Sequence, residues 1–133
     1  MATFELEIVT PGKTLYSGTV EHVGAPGIDG GFGVLSRHQQ MVAALGIGSL
    51  RFREEGGEER LAAISGGFAE VLGDRMTVLA ETAELAEDID GDRAVTARDR
   101  AKERLISRRD PDIDTARAVA ALERAFNRLR IVD

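Results

Sequence analysis

The chain has 133 residues, 43% of them hydrophobic and 30% charged, with a net charge of -6 and no cysteine. This length suits one compact domain or a small domain with an appendage, and the apolar fraction supports a modest core. The composition excludes a disulfide framework or thiolate metal site. It argues against a nucleic-acid face, which would need a basic surface, and no apolar run reaches the roughly 18 residues of a membrane span. Met1-Ala2-Thr3-Phe4-Glu5 lacks the basic and apolar regions of a secretory signal, so the expected location is the cytoplasm or a surface facing it.

Residues 1–87 read as short strands. Phe4-Glu5-Leu6-Glu7-Ile8 alternates with period two, the pattern of a half-buried strand, and Pro11-Gly12 breaks it. Residues 14–24 resume with Leu15, Tyr16, Val20 and Val23, interrupted at Gly18 and ended by Pro26-Gly27. Strand segments follow at 32–35, 41–45, 49–53, 61–64, 68–72 and 76–79, with glycine turn signals between most of them. This spacing predicts an antiparallel sandwich or flattened barrel, because no helical pattern intervenes to support a parallel sheet. Residues 54–59, Glu-Glu-Gly-Gly-Glu-Glu, predict a solvated hairpin tip.

The character of the chain changes near Asp88-Ile89-Asp90. Of the 15 glycines, 14 lie at or before Gly73. Residues 1–90 carry 6 basic and 15 acidic side chains, net -9, whereas residues 91–133 carry 11 and 8, net +3. Asp88 or Asp90 is positioned to cap a first helix, whose Ala94, Ala97, Ala101 and Leu105 share one face. Arg108-Arg109 would sit in its last turn, favoured by the helix dipole, before Asp110-Pro111-Asp112 breaks the chain. Asp112 or Asp114 would cap a second helix with Ala118, Leu122, Ala125 and Leu129 on one face and Val119 and Phe126 alongside. A short loop makes the pair antiparallel. The fold class is therefore α+β, with a sandwich over residues 1–87 and a helical hairpin over 88–133. Burying an Ala methyl contributes far less than the roughly 1.5–3 kcal/mol of a Leu or Phe, and helices this short are marginal without packing. Two readings stay open: a hairpin docked permanently, and one with a second resting place against a partner.

The chemistry of catalysis is missing. His22 and His38 are the only histidines, and neither has metal-ligand spacing around it. Asp88-x-Asp90-x-Asp92 resembles the opening of a calcium loop, but Arg93 stands where Gly belongs and Asp99 where Glu belongs. Asp110-x-Asp112-x-Asp114 fails in the same way. Gly27, Gly30, Gly31 and Gly33 form no dinucleotide fingerprint, and no P-loop, nucleophile elbow or Ser-His-Asp frame occurs. A stand-alone ligand-binding sandwich with a helical lid would want an aromatic-lined face. The chain has five Phe, one Tyr and no Trp.

Four stretches carry a resemblance over essentially the whole chain. They are Leu6-Glu7-Ile8-Val9-Thr10-Pro11 with Tyr16-Ser17-Gly18 after it; Ala25-Pro26-Gly27 through Gly30-Gly31-Phe32-Gly33-Val34-Leu35 and His38; Ile64-Ser65-Gly66-Gly67-Phe68-Ala69-Glu70-Val71; and Val78-Leu79-Ala80-Glu81-Thr82-Ala83. In this order they resemble the epsilon subunit family of the bacterial F-type ATP synthase, the equivalent of the mitochondrial delta subunit. The resemblance implies a ten-stranded flattened barrel of two sheets followed by the hairpin. It also implies a non-catalytic rotor subunit whose barrel grips the gamma subunit and rests on the c-subunit ring. The implied location is peripheral, on the cytoplasmic face of the inner membrane, held only through the complex. In this family the hairpin extends toward the alpha and beta subunits and inhibits ATP hydrolysis. The basic excess of residues 91–133 suits the acidic loop that family beta subunits present.

The resemblance also implies two sets of binding residues. The loop facing the c ring would comprise Asp29, Gly30, Gly31 and His38. Here Gly31 replaces the usual acid, Ser36-Arg37 the usual Pro-Gly and Gln39-Gln40 the usual Ala-Pro, so Asp29 is the acid placed to substitute. No cofactor is obligatory, but some relatives bind regulatory ATP through an Ile/Leu-Asp-x-x-Arg-Ala motif. Ile89-Asp90-Gly91-Asp92-Arg93-Ala94 matches it in full. Glu84 and Arg100 fall at matching places, and Arg124 and Arg128 resemble the later basic positions. Arginines on one helical face offer forked donors for phosphate oxygens. The plainer alternative is that Asp90 only caps the helix and Arg93 is solvated.

Overall fold

The computed structural model describes residues 2–107 and 114–132. Seven strands come first: β1 (Phe4–Thr10), β2 (Lys13–Ala25), β3 (Phe32–Leu35), β4 (Met41–Ala44), β5 (Ile47–Glu54), β6 (Glu59–Leu72) and β7 (Arg75–Leu85). A short 3-10 turn, Ala86–Asp88, leads to α1 (Gly91–Ile106), and α2 (Thr115–Val132) follows. The expected cationic turn at Arg108-Arg109 and the break at Asp110-Pro111-Asp112 lie outside the described residues.

The alternation seen in the sequence decides which face of each strand is buried. Phe4, Leu6 and Ile8 of β1 point inward while their neighbours do not. Leu6, Ile8, Val20, Val23, Val34, Leu50, Phe52, Ile64, Met76 and Val78 are the largest fully buried side chains, and all lie on strands. The helices bury only Ala94, Ala101, Ala118, Ala125 and Asn127.

The pairings return on themselves. β1 pairs with β2 and with β7, and β7, β6, β5 and β2 continue the circuit. β3 extends from β2, and β4 pairs with the far half of β6. Two expectations are corrected here. The first concerns number: seven strands form rather than ten. The glycines read as breaks lie inside long strands. Gly18 sits within the 13 residues of β2, and Gly66-Gly67 within the 14 of β6. A single long strand therefore changes neighbours along its length. β6 pairs with β5 through residues 59–65 and with β4 through 68–71. The second concerns direction: β1 and β7 run parallel, Glu5 opposite Arg75 through Val9 opposite Leu79. The whole β2–β6 meander acts as the crossover, so no helix is needed.

Gly66 and Gly67 make the bend in β6 possible, with φ of 70° and 109°. A Cβ on Gly67 would stand 2.0 Å from the carbonyl oxygen of Leu79 on β7. The Leu45 N–H donates to the Gly67 carbonyl at 2.8 Å, fixing the bend from the other side.

One polar node spans the sheet and the turn before α1. The Arg60 guanidinium lies over the rings of Tyr16 and Phe52, 5.4 and 5.7 Å from their centres. It pairs with Glu54 at 3.1 Å and with Glu87 in the 3-10 turn. The Tyr16 hydroxyl donates to Glu54 Oε2 at 3.0 Å. Burial, and then that hydrogen bond to a carboxylate, push its pKa up from 10.0 to about 12. The acidic hairpin tip is thus partly neutralised, since Arg51 also pairs with Glu59.

Gly67→Ala is expected to destabilise the sheet by at least about 2 kcal/mol through overpacking and backbone strain. A fall in Tm of roughly 5–10 °C on thermal unfolding checks it. Tyr16 is the only tyrosine and there is no tryptophan, so phenolate absorbance reports this residue alone. Its titration midpoint is expected near 12 in the folded chain and near 10 after denaturation. Because the fold favours the protonated phenol, this contribution to stability is complete below pH 10 and disappears as pH rises through 12.

Candidate functional site

The hairpin meets the sheet along a thin seam. α2 lies against β5, β6 and the 3-10 turn, and α1 lies against α2. The Cβ position of Gly91 is 3.7 Å from Val132 Cγ1, so the helices run antiparallel as expected. Asp90 caps α1, its Oδ1 accepting from the Arg93 N–H at 3.1 Å. Asp114 caps α2 in the same way, accepting from the Arg117 N–H at 3.0 Å. The alanines face inward, Ala94 and Ala101 from α1 and Ala118 and Ala125 from α2, whereas Val119 and Phe126 stay exposed. Lys102 sits over the Phe126 ring. On the other side of α2 from Ala118 and Ala125, Asn127, itself buried, donates through Nδ2 to the Gly48 carbonyl on β5 at 2.9 Å.

At one end of this seam a cleft of about 520 Å³ opens, lined by Glu84, Asp88, Asp90, Arg93, Ala94, Thr96, Ala97, Arg100 and Arg128. Each element supplies a part. The end of β7 brings Glu84, the 3-10 turn brings Asp88, and α1 presents Arg93, Ala97 and Arg100 at helical spacing. α2 brings Arg128, whose Nε pairs with Glu84 Oε1. Asp90 is occupied by its capping bond, and Thr96 returns its hydroxyl to the Asp92 carbonyl at 3.1 Å. The ion pairs among the described residues do not include Arg93 or Arg100. The volume falls within the ordinary range of small-molecule sites, and its polar lining suits a charged ligand.

Six of the eight residues expected to bind ATP line this one cleft: Glu84, Asp90, Arg93, Ala94, Arg100 and Arg128. Ile89 is buried and does not line it. Arg124 lines a separate small cavity of about 10 Å³ with Ala63, Ile64, Ser65, Thr82, Asn127 and Arg128. Asp88, Thr96 and Ala97 were missed as lining residues, although the 93-97-100 spacing points at Ala97. Asn127 was missed as the tie to the sheet. It stands two residues from both Ala125 and Leu129, so it is on the other side of α2 from their apolar face.

The second expected group is not assembled in one place. Asp29, Gly30 and Gly31 form an exposed turn before β3, and His38 lies beyond its other end with Nδ1 2.7 Å from the Gln39 carbonyl. The four residues of β3 separate the two turns by about 13 Å. Another exposed surface occurs on the far half of the sheet. Val42 of β4, Phe68 and Leu72 of β6 and Leu79 of β7 are 67%, 56%, 54% and 49% exposed. Phe68 faces Leu79 across the ladder, and Val42 faces Glu70. Among the described residues, no group of His, Asp or Glu is placed to hold a metal ion, and no helix is long and apolar enough to cross a membrane.

Comparison with known proteins covers nearly the full length. The family described as "ATP synthase, Delta/Epsilon chain, beta-sandwich domain" matches residues 3–86, and its partner, "ATP synthase, Delta/Epsilon chain, long alpha-helix domain", matches residues 87–133. The ATP synthase epsilon chain of Nitratidesulfovibrio vulgaris is 51% identical over 129 residues, 97% of this chain and 95% of that one. That of Syntrophomonas wolfei is 46% identical over 97% of this chain and 93% of its own. A solved chain from the Euglena gracilis mitochondrial ATP synthase, in a structure described as OSCP/F1/c-ring, is 26% identical. It superposes with a TM-score of 0.77 over 92% of this chain and 77% of its own.

Asn127→Ala is expected to cost about 1–3 kcal/mol by leaving the Gly48 carbonyl without its side-chain donor. The loss should be local. Amide exchange should speed up across residues 91–106 and 115–132 while β1, β6 and β7 keep their protection.

Proposed function

Because the chain belongs to the ATP synthase delta/epsilon family, we propose that it is a non-catalytic central-stalk subunit whose C-terminal hairpin regulates ATP hydrolysis. The observation that carries this reading is the thinness of the seam. One side-chain amide and one ion pair tie α2 to the sheet, and the buried apolar side chains of the two helices are all alanine, whereas the sheet is held by Leu, Ile, Val, Met and Phe. Two packed arrangements of the helices thus differ little in free energy, which is the condition for a switch.

In this reading the sheet transmits torque. The exposed row of Val42, Phe68, Leu72 and Leu79 seats the gamma subunit, since clustered exposed apolar side chains mark interaction surfaces. The turn at Asp29, Gly30 and Gly31 and the turn at His38 face the c ring, with Asp29 supplying the acid that Gly31 does not. The OSCP/F1/c-ring context of the similar Euglena chain supports this placement. Attachment to the cytoplasmic face of the membrane runs through the complex.

The hairpin supplies regulation. Extended, it carries the net +3 of residues 91–133 toward acidic surfaces of the alpha and beta subunits. Folded, it forms the cleft, where Arg93 and Arg100 on α1 and Arg128 on α2 converge. ATP bound there bridges the two helices and favours the folded form, and it does so only to the extent that it binds that form better. Catalysis belongs to other subunits.

Hydrolysis by the assembled complex tests the proposal. Replacing the full chain by one ending at residue 90 is expected to raise ATP hydrolysis several-fold while ATP-driven proton pumping persists. Hydrolysis unchanged by removal of the hairpin would overturn its regulatory role.

A further inference from the structure

Resting on the reading of the hairpin as a movable element, we propose that Arg60 is the fixed post of its hinge. The guanidinium holds Glu87, and with it the 3-10 turn, on the sheet, and the helices swing from Ile89, Asp90 and Gly91 beyond it. Arg60 is itself immobilised by three strands. Tyr16 of β2 and Phe52 of β5, with ring centres 4.6 Å apart and planes tilted by 47°, form a platform beneath it. Gly18 leaves room for that platform, since a Cβ there would stand 2.5 Å from the Tyr16 hydroxyl. Glu54 uses one carboxylate oxygen for Tyr16 and the other for Arg60 Nη1 at 3.1 Å. Arg60 Nη2 is then left aimed at Glu87. The two partners differ in freedom, the Arg60 side chain being 28% exposed and that of Glu87 54%. An exposed ion pair is commonly weakened by the entropy of ordering both side chains. Here the arginine is ordered before the pair forms, and its planar fork serves both carboxylates.

The backbone on either side of Glu87 explains why a post is needed there. The β7 ladder ends at Leu85, opposite Ala62. The turn that follows has three residues and no side-chain cap, too little to hold itself in place. It lies against β6 on one side and α2 on the other. When α2 leaves, one of those supports goes with it. Among the described residues, the side-chain bond that reaches this turn from the sheet is that of Arg60. Immediately beyond the turn the chain is extended, with Ile89 at φ -76° and ψ 124° and Asp90 at φ -84° and ψ 105°. Gly91, the first residue of α1, adds the widest backbone freedom. Hinges are a few residues of this kind at the end of an element, next to a part that does not move. Held at Glu87, the hairpin leaves and returns along one arc. Without that hold the pivot slides back to Leu85, and the turn moves with the helices.

Amide exchange of the full chain, read residue by residue by NMR, tests this. The reporter is the Ile89 N–H, which donates to the Ala86 carbonyl across the turn. Asn127→Ala loosens the helices without touching Arg60. In that variant the amides of both helices are expected to speed up while Ile89 keeps its wild-type rate. Adding Glu87→Gln, which keeps shape and removes charge, is expected to speed Ile89 about threefold, the effect of losing one ion pair. Glu87→Gln alone is expected to speed Ile89 by the same factor and to leave β1, β6 and β7 unchanged, which shows that the sheet still folds. Arg60→Lys keeps the charge but not the fork, and it is expected to match Glu87→Gln. An Ile89 rate that rises in step with the helices in Asn127→Ala, or that ignores Glu87→Gln, would overturn the post. Helix amides that ignore Asn127→Ala while Ile89 responds to Glu87→Gln would instead sink the movable hairpin and leave the hold of Arg60 on the turn standing.

Discussion

The bond from Asn127 Nδ2 to the Gly48 carbonyl, at 2.9 Å, depends on how closely a helix can approach a sheet. Ala118 and Ala125 share one face of α2, and Asn127 stands about half a turn round the helix from them, on the side that meets the sheet. The alanines contribute little burial energy, about 0.8 kcal/mol for each methyl-sized group. The sheet keeps its core when the seam opens, because no helix side chain belongs to the main cluster of buried hydrophobics. Local opening of this kind is drawn from the least stable part of a structure, and here that part carries the charged cleft.

The bend in β6 divides the sheet into two halves with different surroundings. Before Gly66-Gly67 the strand lies near α2, with Ala63, Ile64 and Ser65 beside Arg124 and Asn127. After it, Phe68 and Leu72 face solvent. One continuous strand thus joins the surface assigned to the shaft with the surface that carries the hairpin. Arg60, near the start of the same strand, clamps the turn that leads into α1 through Glu87. The sheet-side anchor of the hairpin therefore ends at Glu87, just before Ile89 and Asp90.

Much of this was legible in the sequence because its signals are local. Alternation in Phe4-Glu5-Leu6-Glu7-Ile8 gave the buried face of β1, and the capping aspartates gave both helix starts. The number of strands was not legible, because Gly18 and Gly66-Gly67 look alike whether a chain turns or merely bends. What distinguishes them is the partner across the ladder, which is distant in sequence. The parallel pairing of β1 with β7 was hidden for the same reason. In the cleft, the arginines were legible through the resemblance of residues 89–94 to a family motif, whereas Asn127 was not. A lone amide outside the apolar stripe gains meaning only from the carbonyl it meets, and Gly48 gives no sign of that role. Arg124 was grouped with Arg128 by its four-residue spacing; the two share a small cavity against the sheet, but only Arg128 also lines the cleft.

The return of the circuit through β1 and β7 orders events during synthesis. β2 covers one edge of β1 almost as soon as both leave the ribosome, because a two-residue turn joins them. The other edge of β1 waits until Arg75 and its successors emerge, since Glu5 through Val9 pair with residues 75–79. During that interval the nascent chain exposes a row of unpaired backbone groups, the feature that invites edge-to-edge association. Glu5 and Glu7 alternate along that edge and keep it charged until the last strand arrives.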